Sequence, residues 1–201
     1  LGANHVLASL QRATAGMLKV KTVYKGAPAA QLYFYVVRDA NSIVYFLHKH
    51  YWEHVLPAVR SSVEVYKSCV MLKNGVQEKM ELLLASGLDV ALNSVVHHCE
   101  VVLSKEQTKE DFFPAVDSDA FAQGTSSKAC AACVRFLIAQ AAVIKECLNG
   151  QNLEIVFKDL SLRLHKALLA HFKTITVNEL GGMLLARDLQ EYIDCISIFK
   201  N

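Results

Sequence analysis

The chain has little that interrupts or marks regular structure. Only three of its 201 residues are proline and nine are glycine, so long elements meet few breaks and a loop-rich or collagen-like chain is excluded. It lacks a block of like charge. Lys and Arg number 21 against 19 Asp and Glu, a net +2, which leaves no electrostatic case for nucleic acid. Lys73, Lys79, Lys105 and Lys109 lie scattered among acids and form no membrane-binding cluster. No run approaches the ~18 consecutive apolar residues of a bilayer span, and no charged start leads into an apolar leader. Direct membrane insertion and secretion are therefore not expected. No period-2 strand stands out either.

Apolar side chains are plentiful. Hydrophobic residues make up 53% and charged ones 20%, enough for a real core and against disorder over most of the length. Six cysteines (Cys69, Cys99, Cys130, Cys133, Cys147, Cys195) fall mostly at apolar positions of helical patterns. There a free thiol acts as a small hydrophobe, and reduced thiols in a cytosolic protein are expected. Because the chain begins at Leu1, we expect it to be a fragment or a processed form.

Hydrophobic periodicity predicts helices throughout. The first spans 3–24, with Gly16 inside it, and Lys25-Gly26-Ala27-Pro28 breaks it. A second runs from Ala30 to Leu56, its aromatics Tyr33, Phe34, Tyr35, Tyr45, Phe46, Tyr51 and Trp52 covering more than one face. Pro57 ends or kinks it. A third runs from Val63 to Leu103, with Asn74-Gly75 as its weak point and Gly87 as a place for close helix approach. Residues 104–124 read as a loop. Another helix, Ser126 to Leu148, carries the stripe Cys130, Cys133, Val134, Leu137, Ala141, Ile144 and Leu148, and Gly150 suits a left-handed ending. Asn152 caps the next, with Leu153, Phe157, Leu160, Leu164, Ala167, Leu168 and Phe172 inward. Thr176 and Glu179 form a capping box for the last, which presents Leu185, Leu189, Tyr192, Ile193, Ile196 and Phe199 to the core. The fold class is all-α, in antiparallel helices, divided as 1–28, 29–124 and 125–201.

Four short patterns invite chemistry. His50-Tyr51-Trp52-Glu53-His54 matches H-x-x-E-H, in which two histidines hold zinc and the glutamate activates water. Its plainer reading is a solvated helix face. Cys130-Ala131-Ala132-Cys133 is a lone C-x-x-C, with His97, His98 and Cys99 as a conceivable second ligand pair. At i and i+3 of a helix both thiols also simply join the packed stripe. Gly181-Gly182 lacks the preceding strand and following Lys of a phosphate loop and suits close helix packing instead. Arg187 and Asp188, beside Gln190 and Glu191, read as a polar face, solvated or turned to a subunit contact. We therefore assign no catalytic, cofactor or metal residue.

Four stretches, in order, carry a resemblance that extends from Leu32 to Ile198. They are Tyr33-Phe34-Tyr35-Val36-Val37-Arg38-Asp39-Ala40-Asn41-Ser42-Ile43 running on to His54-Val55-Leu56-Pro57; Glu78-Lys79-Met80-Glu81-Leu82-Leu83-Leu84-Ala85-Ser86-Gly87-Leu88-Asp89 with Leu92-Asn93; Glu106-Gln107-Thr108-Lys109-Glu110-Asp111-Phe112; and Arg163-Leu164-His165 through Gly181-Gly182-Met183-Leu184 to Asp188, Glu191, Tyr192 and Cys195. Together they resemble the family of exocyst component five. The resemblance implies an elongated rod of stacked antiparallel helical bundles and a non-enzymatic subunit without cofactor. Such a subunit helps tether secretory vesicles to the plasma membrane before fusion. Its implied partners are other exocyst subunits, component six above all, with small GTPases as further candidates. Its implied location is cytoplasmic, peripheral at the plasma membrane and secretory vesicles. The alternatives are a related Golgi or endosomal tether, a zinc peptidase built on the H-x-x-E-H motif, and a bundle that encloses an apolar ligand behind its aromatic second helix.

Overall fold

The computed structural model of the protein describes residues 28–115 and 125–200. The helix expected over 3–24 and the break after it lie outside them, apart from Pro28, which opens a helix. The elements are α1 (Pro28–His50), a π-helical turn (Tyr51–Val55), α2 (Leu56–Val59), α3 (Val63–Glu106), α4 (Lys109–Phe112), α5 (Lys128–Cys147), α6 (Gly150–Phe172), α7 (Glu179–Ser197) and a closing 3-10 turn (Ile198–Lys200). No strand occurs among the described residues, as the missing period-2 pattern predicts. The chain divides into two compact units, and the division falls between Ala91 and Leu92, inside α3.

In the first unit α1 runs against the N-terminal part of α3. Tyr33, Val37, Ala40, Val44, Leu47 and Tyr51 recur at steps of four and three, the spacing that keeps one seam turned to a single neighbour. Ala40 and Met80 form its buried middle, with Val36, Ile43, Val44, Val76, Leu83 and Leu84 around them. At one end the Tyr33 hydroxyl donates to the Leu84 carbonyl at 2.7 Å. Burial pushes that phenol up to about 12, so it stays a donor. The Tyr33 ring occupies the place where a Cβ at Gly87 would stand, which is the close approach expected there. Gly75 has open space around it, and α3 passes through Asn74-Gly75 unbroken.

The second unit is a four-helix arrangement. Asn93 of α3 accepts a hydrogen bond from Arg163 of α6 at 2.7 Å, while Leu103 and His171 line one cleft further along, so these two helices run the same way. Ser127, just before α5, meets Asp188, and Lys145 meets Ile198 at the far end, so α5 and α7 also run together. Phe157 stacks on Phe199 at 5.0 Å and Phe172 meets Tyr192 edge-on at 6.5 Å, which sets α6 against α7. Up-down-up-down order results. Cys99, Leu103, Cys133, Leu137, Ile144, Leu160 and Leu164 make the dry interior. An 18-residue window of α3 reaches a mean hydropathy of 1.2, enough by length and composition to cross a membrane. The consecutive-run criterion misses it because Ser86, Gly87, Asp89, Asn93 and Ser94 interrupt the apolar residues. Of that window 33% is buried: Ala91, Leu92, Val95, Val96 and Cys99 of α3 lie in the core, while Leu82 is 70% exposed.

Several expected details differ, each for a local reason. Pro57 does not end α1 directly. The chain first widens into the π turn, where the Leu56 N–H reaches back five residues to the Tyr51 carbonyl. That loosening relieves the clash a proline ring makes with the carbonyl four residues earlier. The expected loop over 104–124 holds a helical turn, α4, whose Asp111 carboxylate accepts from the Thr108 N–H at 2.9 Å. Gly150 is left-handed, with φ 55°, but it opens α6 rather than closing α5, and Asn149, not Asn152, precedes that helix. Asn178, not Thr176, caps α7, accepting from the Gly181 N–H at 2.8 Å. The buried face of α7 is also rotated. Gly181 must face the chain at Phe112, where a Cβ would overlap the Phe112 carbonyl. Asp188, Tyr192, Cys195 and Phe199 come after it on the same side and are buried, leaving Leu189 and Ile193 exposed at 42% and 60%.

Alanine at the two α3 glycines should therefore act with opposite sign. Gly87→Ala displaces Tyr33 and should cost about 1–3 kcal/mol, the usual scale of overpacking. Gly75→Ala should stabilise by up to about 1 kcal/mol through helix propensity. Denaturant titration followed by circular dichroism reads both; equal effects would contradict the packing described.

Candidate functional site

The H-x-x-E-H residues sit on the π turn and the helix end before it. The His50 and His54 rings stand 5.0 Å apart, centroid to centroid. Glu53 is turned to Lys49, 3.9 Å away, and all three motif residues are exposed. Trp52 donates from its indole N–H to His48 Nε2 at 2.7 Å. No cluster of three or more His, Cys, Asp or Glu able to hold a metal occurs among the described residues. The pattern thus forms a polar rim on the first unit rather than a convergent ligand set.

The C-x-x-C thiols point into the second unit. Cys133 Sγ lies 3.7 Å from the Cys99 carbonyl, and Cys130 Sγ lies 3.6 Å from the Asp188 carbonyl. Neither His97 nor His98 joins them: His97 reaches Glu100 at 3.3 Å, and His98 lies on Phe136 at 4.0 Å. None of the six cysteines forms a disulfide. The Cys133 thiol and burial raise Cys99 far above the usual range, burial and the Asp188 carboxylate raise Cys130, and burial pushes Cys195 up to about 11. Cys99, Cys130 and Cys195, held protonated in this way, are poor nucleophiles and poor metal ligands, while the contact with the Cys99 thiol draws Cys133 the other way.

Asp188 is the residue whose role the sequence concealed. Expected on a polar face with Gln190 and Glu191, which are exposed, it is itself buried, with 1% exposure. Its two oxygens accept from the Ser127 N–H at 2.8 Å and the Ser127 hydroxyl at 2.6 Å. Ser127 Oγ in turn accepts from the Cys130 N–H at 3.1 Å, capping α5. The carboxylate therefore stands at a helix N-terminus, where the helix dipole favours negative charge. Burial raises its pKa, and the Ser127 donors oppose that rise. Neighbouring Arg187 donates to the Thr125 carbonyl at 2.9 Å, a little further back on the same segment. The signal available in the sequence was Gly181: counting seven residues on from a glycine committed to close packing places Asp188 inside.

A second junction joins α4 to α7. The Asn178 N–H donates to the Phe112 carbonyl at 3.0 Å, and the Asn178 amide donates to the Pro114 carbonyl at 3.0 Å. Phe112 is fully buried and meets Phe172 edge-on. Beside it a cleft of about 630 Å³ opens between the end of α3, α4 and the turn before α7, lined by Ser104, Gln107, Lys109, Glu110, His171 and Thr176. None of these groups forms a nucleophile–base pair. What is built with care is helix-to-helix registration, and the four stretches singled out in the sequence meet in pairs at it. The first meets the second at Tyr33, Leu84 and Gly87, and the third meets the fourth at Phe112, Asn178 and Gly181.

Residues 1–201 match a family model described as exocyst complex component Sec10-like, alpha-helical bundle. The chain is 32% identical to human exocyst complex component 5 over 172 residues, covering 85% of this chain and 24% of that protein. It is 34% identical to exocyst complex component 5 of Drosophila melanogaster over 180 residues, 89% of this chain and 25% of that one. Against the protein of the same name from Oryza sativa subsp. japonica it is 32% identical over 114 residues, 57% and 14% of the two chains. The chain thus spans about a quarter of the length of its animal relatives.

Two measurements probe the buried groups. Asp188→Ala leaves the Ser127 donors unsatisfied and should cost about 1–3 kcal/mol, whereas Leu189→Ala next to it should cost under about 1 kcal/mol at an exposed site. Burial lowers the pKa of His98 and of His171 below 6.5. The unfolded chain then takes up protons first as pH falls, so stability should be fully present above about pH 6.5 and decline below it. Melting curves between about pH 7.5 and 5.5 should show the decline, and His98→Gln with His171→Gln should flatten it.

Proposed function

The chain belongs to the exocyst component family described by that helical-bundle model, and from that membership we propose that it is a stretch of the structural scaffold of an exocyst subunit, non-enzymatic and without cofactor. The subunit it belongs to works in the cytoplasm, at the plasma membrane and on secretory vesicles, and helps hold the two together before fusion. Other exocyst subunits are its partners, with component six foremost. The relatives carry the name of an exocyst component, and that is the origin of the assembly reading.

One structural observation supports it above the others. The stretches that resemble the family do not converge on a reactive centre; they pair across helix contacts, Tyr33 on Gly87 and Phe112 on Gly181. A protein whose distinctive residues set the distances between helices works through shape. The unused polar groups fit the same account: the histidines and glutamate of the H-x-x-E-H pattern lie on an exposed rim, and Cys99, Cys130 and Cys195 are held protonated.

Affinity purification of the intact protein from its own cells tests the proposal. Other exocyst subunits, component six among them, should co-purify, and removing the protein should leave secretory vesicles accumulated beneath the plasma membrane. Purification without any exocyst subunit would overturn it.

A further inference from the structure

The outer face of α6 carries a feature that the core of the second unit does not use. Ile155, Leu162 and Leu169 recur at every seventh residue and are 58%, 53% and 46% exposed. Seven residues are nearly two full turns, so the three stand in single file along about 21 Å of helix. They lie on the side away from Val156, Phe157, Leu160, Leu164 and Leu168, which are buried. Three large aliphatic side chains in one line are unfavourable in water, and packing within the unit does not cover them.

Lysines border the line. Lys158 lies on one side of it and Lys166 on the other, with Lys173 beyond Leu169 at the end of the helix. All three are exposed, and no ion pair holds them among the described residues. The acids of α6 are Glu154 and Asp159. Asp159 is held by Arg163 at 3.0 and 2.8 Å, and Glu154 stands on the flank, near the start of the helix. The outward face is therefore apolar along its crest and positive along its edges.

Shape and spacing select the occupant. A helix packed here, from this subunit or from another, needs a second row of apolar residues three or four positions on from the first. Those positions hold Lys158, Asp159, His165 and Lys166, so the seam that a helix requires is missing. A crest directly opposite the core is instead what a flat surface meets first. Aliphatic side chains on such a crest suit the boundary between headgroups and acyl chains, and lysines beside them reach headgroup phosphates.

We propose that the outer face of α6 rests on an anionic lipid bilayer. Ile155, Leu162 and Leu169 enter the interface, Lys158, Lys166 and Lys173 face acidic headgroups, and no segment spans. Each lysine near such a surface is worth about a fivefold gain in affinity. The contact is therefore reversible by itself and adds to others that an assembly makes. The proposal goes beyond the scaffold reading by naming a surface that touches lipid.

The test uses the full-length subunit in its purified assembly, with an environment-sensitive fluorescent amino acid in place of Leu162. A control carries it in place of Ile138 on α5, which is 43% exposed. Vesicles that contain phosphatidylserine and bromine-bearing acyl chains should shift the Leu162 probe to the blue and quench it, and should leave the Ile138 probe unchanged. Phosphatidylcholine vesicles with the same acyl chains should do neither. Lys158→Gln with Lys166→Gln should raise the lipid concentration for half-maximal quenching by about tenfold or more, while the melting temperature stays unchanged. Equal quenching by neutral vesicles, equal quenching at Ile138, indifference to the lysine substitutions, or no response would each overturn the proposal. Blue emission from the Leu162 probe before lipid is added would overturn it too, because the crest would then be covered by protein. Co-purification of the other subunits is read in the same preparation, so an assembled complex without the lipid response removes the lipid surface alone, whereas failure to assemble removes the scaffold reading.

Discussion

Two helices can bring their backbones together only where a side chain between them is missing, because a Cβ and its neighbours hold axes about 8–10 Å apart. The protein uses this constraint twice. At Gly87 the vacated space takes the Tyr33 ring, whose hydroxyl then reaches the α3 backbone. At Gly181 it takes the backbone of Phe112 itself, and Asn178 closes the junction with three hydrogen bonds, to Phe112, Pro114 and Gly181. Helical phase then decides which side chains each unit buries. Once Gly181 faces inward, Asp188, Tyr192, Cys195 and Phe199 have no other place to go.

Asp188 shows how a buried charge is made tolerable by its position. A carboxylate removed from water is costly unless its oxygens are matched. Here both oxygens find Ser127, and Ser127 is the residue that caps α5. The dipole of α5, the cap and the carboxylate form one connected arrangement that ties the start of one helix to the middle of another. Nothing comparable surrounds His50, Glu53 and His54, whose donors and acceptors stay on the exposed side of the first unit. The contrast separates a polar group that is part of the frame from polar groups that remain available to a partner.

Helix identity and the core of α5 and α6 were legible in the sequence because periodicity reports burial directly: Cys133, Leu137, Ile144, Leu160 and Leu164 are buried as their spacing predicts. The face of α7 was not, because apolarity and burial part company there. Leu189 and Ile193 lie outside while an aspartate lies inside, and only the distant Phe112 explains why. Helix caps were misplaced for the same reason. Thr176 and Asn152 have suitable side chains, but Asn178 is selected by carbonyls that belong to the α4 segment. The H-x-x-E-H pattern illustrates the reverse case, in which a local sequence suggests a site that no third residue completes among those described.

The single tryptophan has a practical bearing on how this protein is observed. Trp52 is 54% exposed, on the π turn of the first unit, with its indole N–H on His48. Its emission will report solvent exposure at that turn, and will be silent about the four helices of the second unit. An unfolding curve recorded by tryptophan fluorescence alone would thus track one half of the molecule. Agreement or disagreement between that curve and the circular dichroism of the whole becomes a direct measure of whether the two units melt together.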